Sequence, residues 1–265
     1  MHLEVNTENF LHTNPDLYMA FHSDSDHRMG QFIHKLLDTY KVGNRILDIG
    51  SGLGREVAYL QHAGYEATGL DNSREMISWA TEHYPDSTFV YGEQSNFSLD
   101  QTFDAIVCVG STFLYNLTNE EARASLKCFR NHLRKGGILY LDMRNASFFL
   151  TKEGQNWLTD ELVDHTSFED KVVTLRTKFS INLARQLLER DYCWTVPGYE
   201  PVVERLQHRL YFPQEMVHYV TSSGFRLIQL FDQPEPHISK FDKEKSLDFS
   251  DDLQGRRMQI IAQAI

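Results

Sequence analysis

Clustered positive charge is missing from this chain. Lys and Arg number 26 against 37 Asp and Glu over 265 residues, a formal net charge of −11. That balance argues against nonspecific binding to phosphate backbones, although it does not exclude a local basic pocket. Cysteine is scarce as well: Cys108, Cys128 and Cys193 are an odd count with no CxxC spacing. A disulfide framework or cysteine zinc site therefore has no support, and reduced thiols in a cytoplasmic setting are expected. The 12 histidines never form HExxH, so no metal is expected. No apolar run approaches the roughly 20 residues that cross a bilayer. The opening residues lack the basic-then-apolar pattern of a secretory leader. What is present, 41% hydrophobic residues, suffices for the core of one large domain or of a domain with an insertion.

The order of apolar patterns gives the fold class. Residues 1–44 are polar at first, then apolar at helical spacing through Phe32, Ile33, Leu36, Leu37 and Tyr40 before Gly43, as at a helix end. From 45, strand candidates (Arg45–Ile49, Ala67–Leu70, Thr88–Tyr91, Phe103–Val109, Ile138–Met143) alternate with helix candidates (Arg55–Ala63, Ser73–His83 and one opening at Thr118). Thr118 and Glu121 have capping-box spacing, and that helix is expected to end in Lys135-Gly136-Gly137. Alternation of this kind means crossover units: an α/β fold with a parallel sheet covered on both faces. After Asn145 the helices stop. Three strand candidates, 171–182, 187–196 and 203–212, follow one another directly. The expected organisation is an N-terminal lid and helix over 1–44, a core from 45–145 and 205–265, and an antiparallel β insertion over 146–204. A helix at Pro213–Ser222, strands at Phe225–Phe231 and Met258–Ala264, and a long polar loop at 233–257 complete it.

The sharpest motif is Asp48-Ile49-Gly50-Ser51-Gly52-Leu53-Gly54, which closes one strand and opens a helix. Glycines there allow a sharp turn and close approach of a ligand to the backbone, beside the free N–H groups of a helix start. A dinucleotide fingerprint starting at Gly50 would need glycine at 55, where Arg55 stands. A phosphate loop would need Gly-Lys-Ser/Thr, which is absent. Asp71 ends the second strand, 23 residues after Asp48, where an acidic side chain can accept both hydrogen bonds of a ribose diol.

These residues resemble motifs of the class I S-adenosylmethionine-dependent methyltransferases. Asp48, Gly50, Gly52 and Gly54 match the family's acidic residue followed by GxGxG, Asp71 matches its ribose acid, and Gly92-Glu93-Gln94 stands where the family contacts adenine. The resemblance implies a Rossmann-like seven-stranded sheet with its last strand antiparallel and S-adenosylmethionine as cofactor. It implies a cofactor site of Asp48, Gly50, Ser51, Gly52, Gly54, Asp71, Asn72, Met76, Glu93, Gln94 and Gly110. Longer segments, Phe103–Phe113, Asp142-x-Arg144-Asn145, Asp191-Tyr192 and Val196-Pro197-Gly198, are similar to the glycine and sarcosine N-methyltransferases. That resemblance implies that Arg144 binds a substrate carboxylate, with Asn145, Ser111 and Tyr211 lining the substrate pocket. It also implies that Tyr18 covers the pocket and that Tyr18, Gly110 and Tyr192 serve the transfer itself. Ser111 departs from the asparagine of the animal glycine enzymes, which separates glycine from amines in general as the acceptor.

The chemistry is consistent with such a site. Methyl transfer from a sulfonium is an in-line displacement, so holding donor and acceptor in place supplies roughly 7–11 kcal/mol without a covalent nucleophile. An aromatic-lined pocket disfavours an ammonium by desolvation and so presents the neutral amine. The expected partner is a small amine or amino acid, with no nucleic acid and no membrane. A homo-oligomer is compatible with the sequence. Two alternatives stay open: O-methylation of a small carboxylate or hydroxyl metabolite, and a cofactor-binding regulatory module without turnover.

Overall fold

A computed structural model describes residues 9–22, 26–236 and 247–265. In chain order the main elements begin with helices α1 (Pro15–Phe21) and α2 (Arg28–Thr39). Then come β1 (Arg45–Ile49), α3 (Arg55–His62), β2 (Glu66–Asp71), α4 (Arg74–His83), β3 (Thr88–Tyr91), β4 (Phe103–Cys108), α5 (Asn119–His132) and β5 (Leu133–Arg144). The insertion holds α6 (Lys152–Thr159), β6 (Leu162–Phe168), β7 (Lys171–Asn182), β8 (Leu187–Thr195) and β9 (Val202–Arg209). The chain closes with α7 (Pro213–Ser222), β10 (Phe225–Phe231) and β11 (Arg257–Ala264).

Seven strands form one sheet in the order β10-β11-β5-β4-β1-β2-β3. Only β11 runs antiparallel to its neighbours. Alternate residues of the central strands feed two cores. Leu47, Ile106 and Leu139 meet α5 and α7 on one face, while Ile46, Val107 and Tyr140 meet α2 and α3 on the other. Burial on both faces explains why β1 and β4 read as continuous apolar runs rather than alternating ones. Local signals set the helix starts. Ser73 Oγ accepts from Met76 N at 3.2 Å, and Thr118 and Glu121 close their capping box.

Several boundaries differ from the expected ones for identifiable reasons. α5 stops at His132, and Lys135-Gly136-Gly137 lies inside β5. The register against β4 jumps there from Phe103↔Leu133 to Ala105↔Ile138. Gly136 takes φ +79°, and a Cβ on Gly137 would come within 3.0 Å of the Asp104 carbonyl oxygen. The glycines thus bend a strand and do not end a helix. The small sheet has four antiparallel strands, β6-β7-β8-β9, not three. β6 is a mostly exposed edge strand, LVDHTSF, with little apolar signal to reveal it. The sheet also extends past 204 to Arg209, and β11 starts at Arg257, a buried arginine in place of the expected apolar opening.

Residues 9–22 of the expected N-terminal lid dock across both halves. Leu11 and Leu17 pack with Val173 and Trp194. Phe10 N donates to Glu204 Oε2 at 2.7 Å on β9, and Trp79 Nε1 of α4 donates to Asp16 Oδ1 at 2.8 Å. The rest of the expected lid, residues 1–8 and 23–25, lies outside the described residues.

Candidate active site

A cleft of about 610 Å³ opens at the carboxyl ends of the parallel strands, the edge where open α/β sheets receive ligands. It is bounded by Gly50 after β1, Asp71 and Asn72 after β2, Glu93 and Gln94 after β3, and Tyr115 after β4. Asn9, His12 and Thr13 of the docked segment and Leu206 of the small sheet also border it.

The turn after β1 is held by its own backbone. Gly50, Gly52 and Gly54 have φ of +73°, +51° and +75°, a region that favours glycine. Their surroundings differ. A Cβ on Gly50 would meet Thr112 Oγ1 at 2.3 Å and one on Gly54 would meet the Phe89 ring at 2.4 Å, whereas Gly52 has nothing within 4 Å. Gly50 and Gly54 are therefore packing constraints, and Gly52 has the open side. Asp71 Oδ2 accepts from Gly52 N and Oδ1 from Ser73 N, both at 2.8 Å. An ionised carboxylate has about four acceptor positions, so acceptor capacity remains for a diol. Desolvation raises the Asp71 pKa while these backbone donors pull it down.

Of the other expected cofactor residues, Asn72, Glu93 and Gln94 border the cleft. Asn72 Nδ2 reaches Glu93 Oε2 at 3.3 Å, and Gln94 Nε2 donates to the Thr112 carbonyl at 3.1 Å. Asp48 and Ser51 sit just beneath, 2% and 5% exposed; Asp48 Oδ1 and Ser51 Oγ are buried without a partner among the described residues. Burial, then Glu56 and Asp71, push the Asp48 pKa well above the carboxylate range. Met76 does not reach the cleft. It is 1% exposed on α4, pointing into the interior, because an apolar side chain one turn into that helix packs on the sheet.

The residues expected on the acceptor side gather around one ion pair. Asp142, fully buried on β5, binds Arg257 through Nε (3.0 Å) and Nη2. Asp142 Oδ2 also accepts from Gly110 N at 3.1 Å. Ser111 Oγ accepts from Arg257 Nη1 at 2.8 Å and from Arg144 N at 3.2 Å. Ser111 is thus engaged in joining β4, β5 and β11, a structural task its position in the expected pocket did not foretell. Gly110 is exposed, with φ +68° and no atom near its absent Cβ.

With Asp142 engaged by Arg257, Arg144 has no ion pair among the described residues. Its Cζ lies 5.9 Å and 5.7 Å from the Trp157 and Phe179 rings, a cation–π setting. Burial, followed by the repulsion of Arg190, lowers its pKa to about 10, so it stays charged at neutral pH. Tyr192 Oη accepts from Arg190 Nη1 at 3.1 Å. Tyr18 packs between His12 and His22, with ring centroids 5.9 Å and 4.5 Å away, and burial pushes its phenol up to about 12.

Two expected pocket residues are elsewhere. Tyr211 is fully buried among Phe113 and Tyr219 and donates to the Asn116 carbonyl at 2.9 Å; it is a core tyrosine whose polar end is satisfied. Asn145 is also fully buried. Its Nδ2 donates to Leu253 O (2.7 Å) and Gly255 O (3.0 Å), pinning the chain before β11, and its Oδ1 caps the next turn through Ser147 N. Sequence reasoning missed Arg190, His208 and Arg257. All are polar residues on strands, and single-chain alternation does not say which face is buried.

Fold and cleft together define a Rossmann-like methyltransferase. Residues 21–230 match the family model described as a methyltransferase domain, and the chain belongs to that family. A glycine/sarcosine N-methyltransferase of Aphanothece halophytica is 30% identical over 127 residues, 46% of this chain and 48% of that protein. The dTDP-3-amino-3,4,6-trideoxy-alpha-D-glucopyranose N,N-dimethyltransferase of Streptomyces venezuelae is 30% identical over 97 residues, 37% of this chain and 41% of that protein. The chain thus spans less than half the length of these two relatives. Among solved structures, a sugar N-methyltransferase from Streptoalloteichus superposes with TM-score 0.74 at 16% identity, covering 100% of this chain and 96% of that one. An amino pentose methyltransferase from Micromonospora echinaspora, solved with S-adenosylmethionine bound, gives 0.71 at 16% identity and covers 100% of both chains.

S-adenosylmethionine is the cofactor, and the cleft residues fit it. Asp71 has acceptor capacity for a ribose diol, Gly52 is open for close approach, and Gln94 Oε1 is a buried acceptor without a partner among the described residues.

Proposed function

We propose that this chain transfers a methyl group from S-adenosylmethionine to the nitrogen of a small amine or amino acid. The observation that carries this reading is Arg144: its backbone is tied to the Gly110–Ser111 turn, its half-buried guanidinium lies beside the Trp157 and Phe179 rings, and it has no ion pair among the described residues, its neighbour Asp142 being engaged by Arg257. A fork of that kind suits a carboxylate, bidentate and planar. The curated N-methyltransferase relatives support nitrogen as the acceptor.

The residues divide the work as follows. The cofactor supplies a methyl group already activated on a sulfonium. Asp71 and Gln94 hold the nucleoside end, and the glycine turn lets it approach. Arg144 fixes the acceptor's acidic end and so aims its nitrogen. Tyr18, Tyr192, Trp157 and Phe179 desolvate the pocket, which favours the neutral amine. The Gly110 carbonyl and the Tyr192 hydroxyl are the oxygens that steady the positive methyl group. The three cysteines, all free thiols, accord with a reducing cytoplasmic compartment.

A panel of amines and amino acids incubated with methyl-labelled S-adenosylmethionine, followed by mass spectrometry of the products, tests the reading. An N-methylated product is expected. Label appearing only on carboxylate or hydroxyl oxygen would replace it with O-methylation.

A further inference from the structure

The face that the small sheet turns toward the core carries an arginine that forms no ion pair with any described carboxylate. Pairing sets Phe179 opposite Arg190 and Arg190 opposite Leu206. His208, two residues beyond Leu206, shares that face. Arg144 reaches the same ground from the large sheet through its contact with the Phe179 ring. Arg190 is 6% exposed and His208 3%. Among the described residues Arg190 donates only to phenol oxygens, Nη1 to Tyr192 and Nη2 to Tyr115 at 3.1 Å and 3.3 Å, and its buried Nε has no partner. Neither ring nitrogen of His208 has a partner among them, and the ring stands edge-on to Tyr115 at 4.7 Å.

The acids nearby are engaged. Glu204, on the same face of β9, accepts from Phe10 N at 2.7 Å and Trp194 Nε1 at 2.8 Å and forms no ion pair with Arg190. Asp142 belongs to Arg257. Buried polar groups are paired as a rule, and a buried charge strongly so. Neutral phenols satisfy hydrogen-bond geometry without cancelling charge. Burial and the neighbouring arginines hold the His208 pKa well below the imidazole range, so at neutral pH it offers one N–H donor and one acceptor.

We propose that the acceptor is an amine carrying two acidic groups, one held by Arg144 and the second by Arg190 together with the His208 N–H. This deepens the N-methyltransferase reading and rests on it. Two anionic groups would pair two guanidiniums that have no ion pair among the described residues and give the imidazole a hydrogen bond. An acceptor with one acidic group would leave Arg190 without a carboxylate in hydrogen-bonded contact.

Calorimetry on protein saturated with S-adenosylhomocysteine tests this with glycine, alanine, aspartate, glutamate and O-phosphoserine. A charge-assisted contact gives about tenfold in affinity or more, so aspartate, glutamate or phosphoserine should bind at least that much tighter than glycine and alanine. Whether carboxylates or phosphoserine lead identifies the second group. Arg190→Gln and His208→Phe should bring the ratio toward one. Unaltered S-adenosylhomocysteine affinity reports an intact fold, and Arg190→Lys, which keeps the charge without the fork, should lower the ratio only partly. Equal binding across the panel, or a preference that survives Arg190→Gln, overturns the proposal. Methyl transfer to glycine or alanine with no preference for doubly acidic amines overturns it and leaves N-methylation standing. Tight binding of doubly acidic amines with no methyl transfer to any amine supports the subsite and overturns the N-methylation reading instead.

Discussion

The two walls of the active-site region differ in what they are made of. On the cofactor wall, recognition comes from backbone: three glycines at positive φ, strand ends, and one carboxylate positioned by the N–H groups of Gly52 and Ser73. On the proposed acceptor wall the candidate groups are side chains that converge from far apart in sequence, with Arg144 from β5, Arg190 and Tyr192 from β8, and His208 from β9. A backbone site is fixed once the sheet forms. A side-chain site drawn from both sheets depends on the two sheets docking correctly. The cofactor wall should therefore tolerate changes in the small sheet, and the acceptor wall should not tolerate changes in the large one.

The hardest test of that difference is Arg257. Its removal takes the two guanidinium contacts away from the buried Asp142 at the junction of β4, β5 and β11. Breaking a buried pair from one side costs about 3–5 kcal/mol. Arg257→Ala should lose about that much stability in chemical denaturation. A loss below about 1 kcal/mol would mean that the pair does not organise the acceptor wall.

Arg144 should come next. Arg144→Ala is expected to lower kcat/KM on the true acceptor by about 2–5 kcal/mol of transition-state stabilisation, as for truncating one member of a buried charged contact. Arg144→Lys should also be impaired, since the planar fork is lost. S-adenosylhomocysteine affinity should stay level in both variants. Normal turnover in both would remove the carboxylate clamp and favour an acceptor without a carboxylate, such as an aminosugar.

The same contrast explains what could be read before folding. Asp48–Gly54, Asp71 and the Thr118–Glu121 cap are contiguous or short-range patterns, and their chemistry is tied to the strand ends they occupy. Arg190 and His208 sit in strands among other polar residues, and only the pairing with β7 and β9 shows that they face inward. Tyr211 and Asn145 illustrate the converse: the family resemblance implied a pocket, but each donates to carbonyl partners distant in sequence, Asn116 for one and Leu253 and Gly255 for the other. β6 was hidden because an exposed edge strand has no buried face to impose alternation.

On the cofactor wall the effect should be smaller and confined to binding. Asp71→Ala removes the acceptor of the ribose diol and the bond to Gly52 N. Hydrogen bonds to a charged group contribute about 1.5–3 kcal/mol, so S-adenosylhomocysteine affinity should fall roughly tenfold or more. Calorimetry that finds unchanged affinity would place the ribose elsewhere.

The smallest effect concerns the segment that joins the two walls. His12 lies against Tyr18 and Tyr115, and its carbonyl accepts from Ser73 Oγ at 3.1 Å. Burial first, then the charge of Arg190, lowers its pKa from 6.5 to about 4. The folded value lies below the unfolded one, so the unfolded chain binds more protons between them. The stability tied to neutral His12 is therefore complete above pH 6.5 and is lost as the pH falls toward 4. By about pH 5.5 the loss should be on the order of 1 kcal/mol. Asp48, whose pKa is raised, contributes with the opposite slope, so the whole-protein profile mixes the two. Subtracting the profile of His12→Gln from that of the parent isolates the histidine. The difference should grow on acidification, together with faster hydrogen exchange over residues 9–22. A difference that is flat with pH would show that His12 is not held neutral where the segment bridges the walls.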